Sequence, residues 1–224
     1  MSRPVLLRND VEIADPLRLS LDFVDAYGLS DHPSRPSSFD ESDLRLANQG
    51  GARISAAEIA DILERRPAIE RALGAIAPDA SLVGPPKSVP WLPLGQLFDA
   101  FADIRGVGFA KMTKALHPKR RALIPMLDSA VQKYLEDDDP GTQVPFGERA
   151  LRLVRGYKRD LDRNRAAVGA VRRGLARRGY ELTDVRILDL LIWSVETAAR
   201  SARPTPEVFE AARTGGRGCA RRTR

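Results

Sequence analysis

Apolar residues recur at spacings of three and four along most of this chain, and the helices they predict are organised around Leu94 to Leu135. Leu94, Leu97, Phe98 and Phe101 share one helical face, and Ile104 ends that run. Gly106-Val107-Gly108 follows. Two glycines flanking one aliphatic predict a sharp turn with positive φ at both, and Val107 plugs that turn into the core. Phe109 to Leu116 then reads as a second short helix, which makes 94–116 a helical hairpin. The first backbone N–H groups of such a helix lack intrahelical partners and carry the positive end of its dipole. A turn of this kind is a phosphate seat. After a basic loop, Asp128 opens another helix that runs through Val131 to Tyr134-Leu135.

The remaining pattern is also helical. Residues 1–14 read as an irregular arm in which Val5-Leu6-Leu7 and Val11 to Ile13 are short extended pieces or a strap. Asp15 and Pro16 suit a helix start, Leu17, Leu21 and Val24 share its face, and Gly28 ends it. Leu29 to Ser38 is a proline-containing loop, and Asp40 opens a short helix closed by Asn48-Gln49-Gly50-Gly51. Ser55-Ala56-Ala57-Glu58 is a capping box, and Pro67 divides the apolar stripe of Ile59, Ile62 and Leu63 from that of Ile69, Leu73 and Ile76. Pro78 to Pro93 holds five prolines and carries the chain irregularly to the hairpin. Helices over 147–162, over 166–178 with Gly179 as its cap, and from Thr183 onward complete the pattern. No stretch shows strand alternation, so the predicted class is all-α, with one helical domain over 15–203. Residues 204–224 form a basic tail: its last twelve positions hold five Arg and no acid, which predicts disorder.

Composition narrows the partners. The 224 residues are 43% hydrophobic and 29% charged, an ordinary globular balance, with a net charge of +6. The sequence pI of about 9.8 admits an anionic partner. Only six of the 36 basic residues are Lys, yet Lys111, Lys114 and Lys119 fall within nine positions. A lone cysteine, Cys219, makes no internal disulfide, which together with the lack of an apolar leader fits a cytoplasmic protein. Nothing approaches the roughly 18 apolar residues of a membrane span. His32 and His117 lie far apart and have no cysteine near them, so no metal site is expected, and no loop of the Walker type occurs.

Candidate chemistry concentrates after the hairpin. Lys111 to Arg121 contains Lys111, Lys114, His117, Lys119, Arg120 and Arg121 and no acid, and with Gly106, Val107 and Gly108 it forms the candidate nucleic-acid surface. The bland alternative is a plain αα-turn. Asp128 is a good helix N-cap on any reading, and a cleft-facing cap is also a carboxylate held in one rotamer. Trp91 and Trp193 are either core residues or platforms for a flipped base. The acidic run Glu136-Asp137-Asp138-Asp139 and the Arg-rich helices over 149–178 read as solvated faces.

Ile104-Arg105-Gly106-Val107-Gly108 with helix on both sides resembles the helix-hairpin-helix motif. The later Pro125-Met126-Leu127-Asp128-Ser129-Ala130-Val131 resembles the proline, extended stretch, aspartate and helix of the helix-hairpin-helix DNA glycosylase superfamily. A closer likeness is to an uncharacterised group of high-GC bacterial proteins built on this core. The resemblance implies a two-lobed helical fold in which the N-terminal helix packs with the C-terminal ones and a cleft holds hairpin and aspartate. It also implies a catalytic role for Asp128. Bifunctional members use a lysine two residues after the second glycine, where this chain has Ala110; Lys111 lies about 100° further round a helix. The four cysteines of the iron–sulfur members are absent. The expectation is a monomeric, cofactor-free DNA-binding protein that acts as a monofunctional DNA glycosylase in base excision. The alternatives are a non-catalytic DNA-binding module and a helical protein-interaction domain.

Deleting residues 205–224 is expected to leave the melting temperature nearly unchanged. It is also expected to weaken binding to DNA of any sequence and to flatten its salt dependence. A large loss of helicity on deletion would contradict the assignment.

Overall fold

The computed structural model describes residues 3–27 and 35–201. The expected helix stop at Gly28, most of the following loop, His32 and the basic tail with Cys219 lie outside the described residues. Among the described residues ten α-helices dominate: α1 (Pro16–Tyr27), α2 (Glu41–Gln49), α3 (Ala56–Glu64), α4 (Arg66–Gly74), α5 (Trp91–Asp99), α6 (Phe109–Leu116), α7 (Ser129–Tyr134), α8 (Phe146–Arg163), α9 (Arg165–Ala176) and α10 (Asp184–Ser201). The fold is all-α. Caps set the boundaries as the sequence predicts: Asp40 and Ser55 make capping boxes at α2 and α3, and Asp128 Oδ1 accepts from the Ala130 and Val131 amides at 2.9 and 3.0 Å.

The arm is more ordered than its composition suggests. Val5–Leu6 (β1) pairs antiparallel with Glu12–Ile13 (β2), and Asn9 and Asp10 turn the chain with φ of 56° and 57°. The ladder is held from outside. The Asn164 side chain accepts from the Leu6 amide and donates to its carbonyl, both at 2.8 Å. Arg8 bridges Asp160 at 2.7 Å and Asp138 at 2.5 Å. This corrects the reading of the 136–139 run as solvated, because Asp138 also takes Arg159 and Asp139 takes Arg149. A carboxylate cluster next to an arginine-rich helix lowers its Coulomb energy by pairing.

Two close approaches fix the centre. α5 crosses α8 at Gly95, where an added Cβ would lie 2.8 Å from Leu151 Cδ1, and at Gly147, whose amide donates to Asp99 Oδ1 at 2.8 Å. On the other side α1 packs against α9 and α10, α7 packs against α10, and α2 packs against α6. Leu94, Leu97, Phe98 and Phe101 are fully buried between these layers.

The basic loop after α6 turns inward. Arg120 is 1% exposed, and its guanidinium donates to the carbonyls of Leu73, Ile76, Pro36 and Lys119 at 2.6–2.8 Å. Leu73 lies in the last turn of α4, where its carbonyl also takes the Ile76 amide at 3.1 Å, and Ile76 lies just past it; the dipole at this end favours a cation. Burial lowers the Arg120 pKa from its usual value, so those carbonyls do the work of holding the charge.

In the hairpin, Val107 is buried and its amide donates to the Ile104 carbonyl at 3.1 Å. Gly106 has φ of +80°, as the third residue of a type II turn requires. Gly108 differs from expectation: its φ is −97° and its ψ −174°, an extended N-cap that any residue adopts. One left-handed residue suffices to reverse the chain here, and Asp103, with φ of 61°, supplies a second upstream of the turn.

Two stability measurements check this account. Arg120→Met takes the donor from the Ile76 and Pro36 carbonyls, and should cost on the order of 3 kcal/mol in chemical denaturation. Gly106→Ala should cost about 1–2 kcal/mol for the left-handed φ, plus the displacement of the Glu58 carboxylate from the space a Cβ needs. Gly108→Ala, with nothing within 4 Å of its Cβ, should be close to neutral. Equal losses at the two glycines would refute the assignment of the turn.

Candidate nucleic-acid and base-binding site

A cavity of about 330 Å³ opens where α1, the end of α2, α6, the start of α7 and α10 meet. That volume is at the lower end of the roughly 300–1,000 Å³ typical of small-molecule sites. Asp128 faces it from the cap of α7, Lys114 from α6, and Arg186 and Asp189 from α10. Phe23 from α1 and Trp193 from α10 form the aromatic side, packed edge to face with centroids 5.3 Å apart. Each lining residue is placed by local chemistry. The Asp128 cap uses only Oδ1. Lys114 follows Lys111 by three positions on α6, and its Nζ donates to the Gly50 carbonyl at 2.9 Å. Arg186 is set by the Thr183 hydroxyl, which accepts its amide at 3.1 Å.

The electrostatics of the cavity are mixed. Burial lowers the Lys114 pKa; Arg186 and Arg53 lower it further and Asp128 opposes them. Asp189 is 3% exposed. Burial raises its carboxyl to about 8, against Arg186 and the Met126 amide, with Asp128 adding to the rise. Two carboxyls thus share one pocket in different surroundings, one held by the first amides of a helix and one surrounded by apolar residues. Among the described residues no group of three or more His, Cys, Asp or Glu is disposed to hold a metal ion.

The hairpin is a separate, exposed feature. Gly106 and Gly108 face solvent, and the first amides of α6 have no side-chain cap. Beside them stands an acid. The Glu58 carboxylate fills the space next to Gly106 and pairs with Lys111 Nζ at 2.6 Å, and Lys111 together with the Ser55 amide holds Glu58 below the usual carboxylate range.

The predicted surface therefore divides. Of its residues, Asp128 and Lys114 share the cavity, and Gly106, Val107, Gly108 and Lys111 make the hairpin. His117, Lys119 and Arg120 belong to the interior, and their assignment to a phosphate-facing loop is corrected. His117 is 1% exposed with Nδ1 2.7 Å from the Ile124 carbonyl, Lys119 is 4% exposed and pairs with Asp43 at 2.7 Å, and Arg120 caps α4. Arg121 is half-buried, and its carbonyl accepts from Thr183 Oγ1 at 3.0 Å. Trp91 starts α5, donates to the Pro86 carbonyl at 3.0 Å under the Arg155 guanidinium, and stays clear of the cavity; Trp193 lines it. Sequence reasoning overlooked Phe23, Arg186 and Asp189. The signal for Asp189 is visible in Ile187-Leu188-Asp189-Leu190-Leu191-Ile192, where one acid interrupts an apolar run on a helix.

No curated protein and no solved structure matches the chain. No helix among the described residues is long and apolar enough to cross a membrane. Residues 19–196, a span from α1 to α10 that takes in the hairpin and every side chain lining the cavity, match one family, and the chain belongs to it: the family of unknown function DUF6308.

Proposed function

We propose that this is a monomeric, cytoplasmic DNA-binding protein with a helix-hairpin-helix glycosylase-like core, and that it acts as a monofunctional DNA glycosylase. The observation that carries the reading is the cavity itself, in which a capped, oriented carboxylate and an aromatic pair line one space of a size suited to a single base. An enzyme acting on a base inside a duplex must flip it into such a pocket, where aromatic faces stack on it. Asp128 then stabilises the positive charge that develops on the sugar as the N-glycosidic bond breaks, or orients the attacking water. Lys114 and Arg186 at the same opening suit the phosphates that flank an extruded nucleotide. The hairpin amides at Gly106 to Gly108 supply backbone contacts to the duplex.

No lysine occupies the Schiff-base position. Ala110 stands there, and Lys111 is committed to Glu58. One observation favours the rival reading of a helical protein-interaction domain: the Glu58 carboxylate beside the exposed turn repels phosphate.

Three measurements test these assignments. Release of bases from a panel of lesion-bearing duplexes should be clear for the wild type and reduced about 100-fold or more by Asp128→Asn. The product should be an intact abasic site, and borohydride should trap no covalent adduct; a trapped complex would place Lys111 or another amine in the chemistry. In duplex binding between 50 and 200 mM salt, Lys114→Gln should lower the slope by about one unit, and Glu58→Gln should tighten binding by freeing Lys111 and removing a negative charge. Absence of salt-dependent binding to duplex or single-stranded DNA would put the interaction-domain reading first.

A further inference from the structure

The cavity keeps cations that no carboxylate neutralises. Elsewhere in the molecule a buried or half-buried cation meets an acid: Arg8, Lys111, Lys119, Arg149 and Lys158 each lie 2.5–2.9 Å from one. Lys114 and Arg186 are half-buried too, yet neither makes an ion pair with a described residue. Lys114 Nζ donates to the Gly50 carbonyl at 2.9 Å, and Arg186 Nη1 is directed at Met126 Sδ at 3.6 Å. Arg53 belongs with them. It follows the Gly50-Gly51 turn that closes over Lys114, where a Cβ on Gly51 would lie 3.8 Å from Nζ. Arg53 is exposed and also lacks an ion pair among the described residues, and its φ is 56°. Left-handed backbone is costly for a residue with a side chain, and such residues gather at functional sites.

The three charges converge on one ammonium. Burial weighs most on Lys114; Asp128 offsets it, and the like charges of Arg186 and Arg53 add to it. The two carboxyls of the cavity do not balance three cations. Burial raises the Asp189 carboxyl to about 8, so near neutrality Asp128 carries the negative charge of the described lining. The phosphates that flank an internal nucleotide carry one charge each and run off in two directions along the strand. A phosphomonoester instead gathers close to two charges on one group, with three acceptor oxygens for surrounding donors.

We propose that Arg53, Lys114 and Arg186 form a seat for a phosphomonoester at the mouth of the cavity, and that the ligand is a nucleotide whose base lies against Phe23 and Trp193. Such a group is found at the end of a nucleic-acid strand and on a free nucleotide. The inference rests on the reading of the cavity as a base pocket, narrows its ligand class, and does not depend on bond cleavage there.

The test is calorimetric titration of the full chain at one fixed salt concentration. The probes are the four common nucleosides, their 5′- and 3′-monophosphates, inorganic phosphate, and a short single strand with and without a terminal phosphate. At least one monophosphate should bind about tenfold or more tightly than its nucleoside and than inorganic phosphate. Lys114→Gln and Arg186→Gln should each remove about tenfold of that affinity and leave nucleoside binding unchanged. Arg53→Gln, at an exposed position, should remove about threefold. Arg165→Gln, which takes an exposed charge from the start of α9 away from the cavity, should leave binding unchanged. A tighter strand than free monophosphate would identify the strand end as the source, and the reverse order the free nucleotide.

Nucleoside and monophosphate binding alike would overturn the inference and leave the base pocket standing. Inorganic phosphate binding as tightly as any nucleotide would overturn the ligand class, and a strand binding equally with and without its terminal phosphate would overturn the choice of monoester. An equal loss in Arg165→Gln would reduce the effect to net charge and refute the seat. Absence of saturable binding by every probe would also refute it, and base release from lesion-bearing duplexes would then decide the glycosylase reading by itself. If Lys114→Gln or Arg186→Gln does not fold, Arg53→Gln against Arg165→Gln decides: a loss confined to the first supports the seat, and equal affinities exclude it.

Discussion

A guanidinium without a carboxylate organises this molecule. Arg120 sits in the interior with carbonyls from the end of α4, from the segment before α2 and from its own turn arranged around it. Desolvating a cation is costly, and here four carbonyls on the two Nη atoms offset it while Nε has no partner. Here the partners come from segments more than forty residues apart, so the charge is tolerated only when those segments are in place together. Lys119 does the same next door, reaching Asp43 and the Arg35 carbonyl. The basic loop is thereby a fastener between α6 and the helices that precede it, and it holds α6 and α7 at the angle that brings Lys114 and Asp128 to one cavity.

The cavity shows how environment distinguishes chemically identical groups. Asp128 stands at a helix N-terminus, where its Oδ1 accepts two amides and its rotamer is fixed. Asp189 lies in the middle of a helix among leucines and isoleucines, where the neutral form is cheaper. The charge of Asp128 adds to the rise that burial imposes on Asp189. One pocket thus holds two carboxyls in unlike surroundings, one capping a helix and one buried within another.

Much of the fold was legible because it depends on local rules. The Ser55 and Asp128 caps, the apolar face of α5 and the helix of Phe109–Leu116 each follow from a few neighbouring residues. What periodicity could not supply was the direction of polar side chains. Lys119 and Arg120 look like surface residues in sequence, since a basic run is usually solvated, and only tertiary contacts reveal carbonyls waiting inside. The same holds for Glu58, legible as a cap and not as the neighbour of Gly106, forty-eight residues away. Asp189 was overlooked for the opposite reason: an acid within an apolar run was absorbed into the helix it interrupts. Phe23 could not be joined to Trp193 from sequence, because 170 residues separate the two rings.

That separation has a bearing on how the protein is made. The arm and α1 leave the ribosome before almost everything they touch: Leu6 waits for Asn164, Arg8 for Asp138 and Asp160, and α1 for α9 and α10. Contacts that span most of a chain form late, because the loop they close must be ordered first. The hairpin and its neighbours can assemble earlier from contacts nearer in sequence, while the aromatic wall of the cavity is joined only after α10 has emerged. A ribosome-bound chain halted before α10 would thus expose a finished hairpin turn and lack the pocket, so that the two features of the fold are completed at different times.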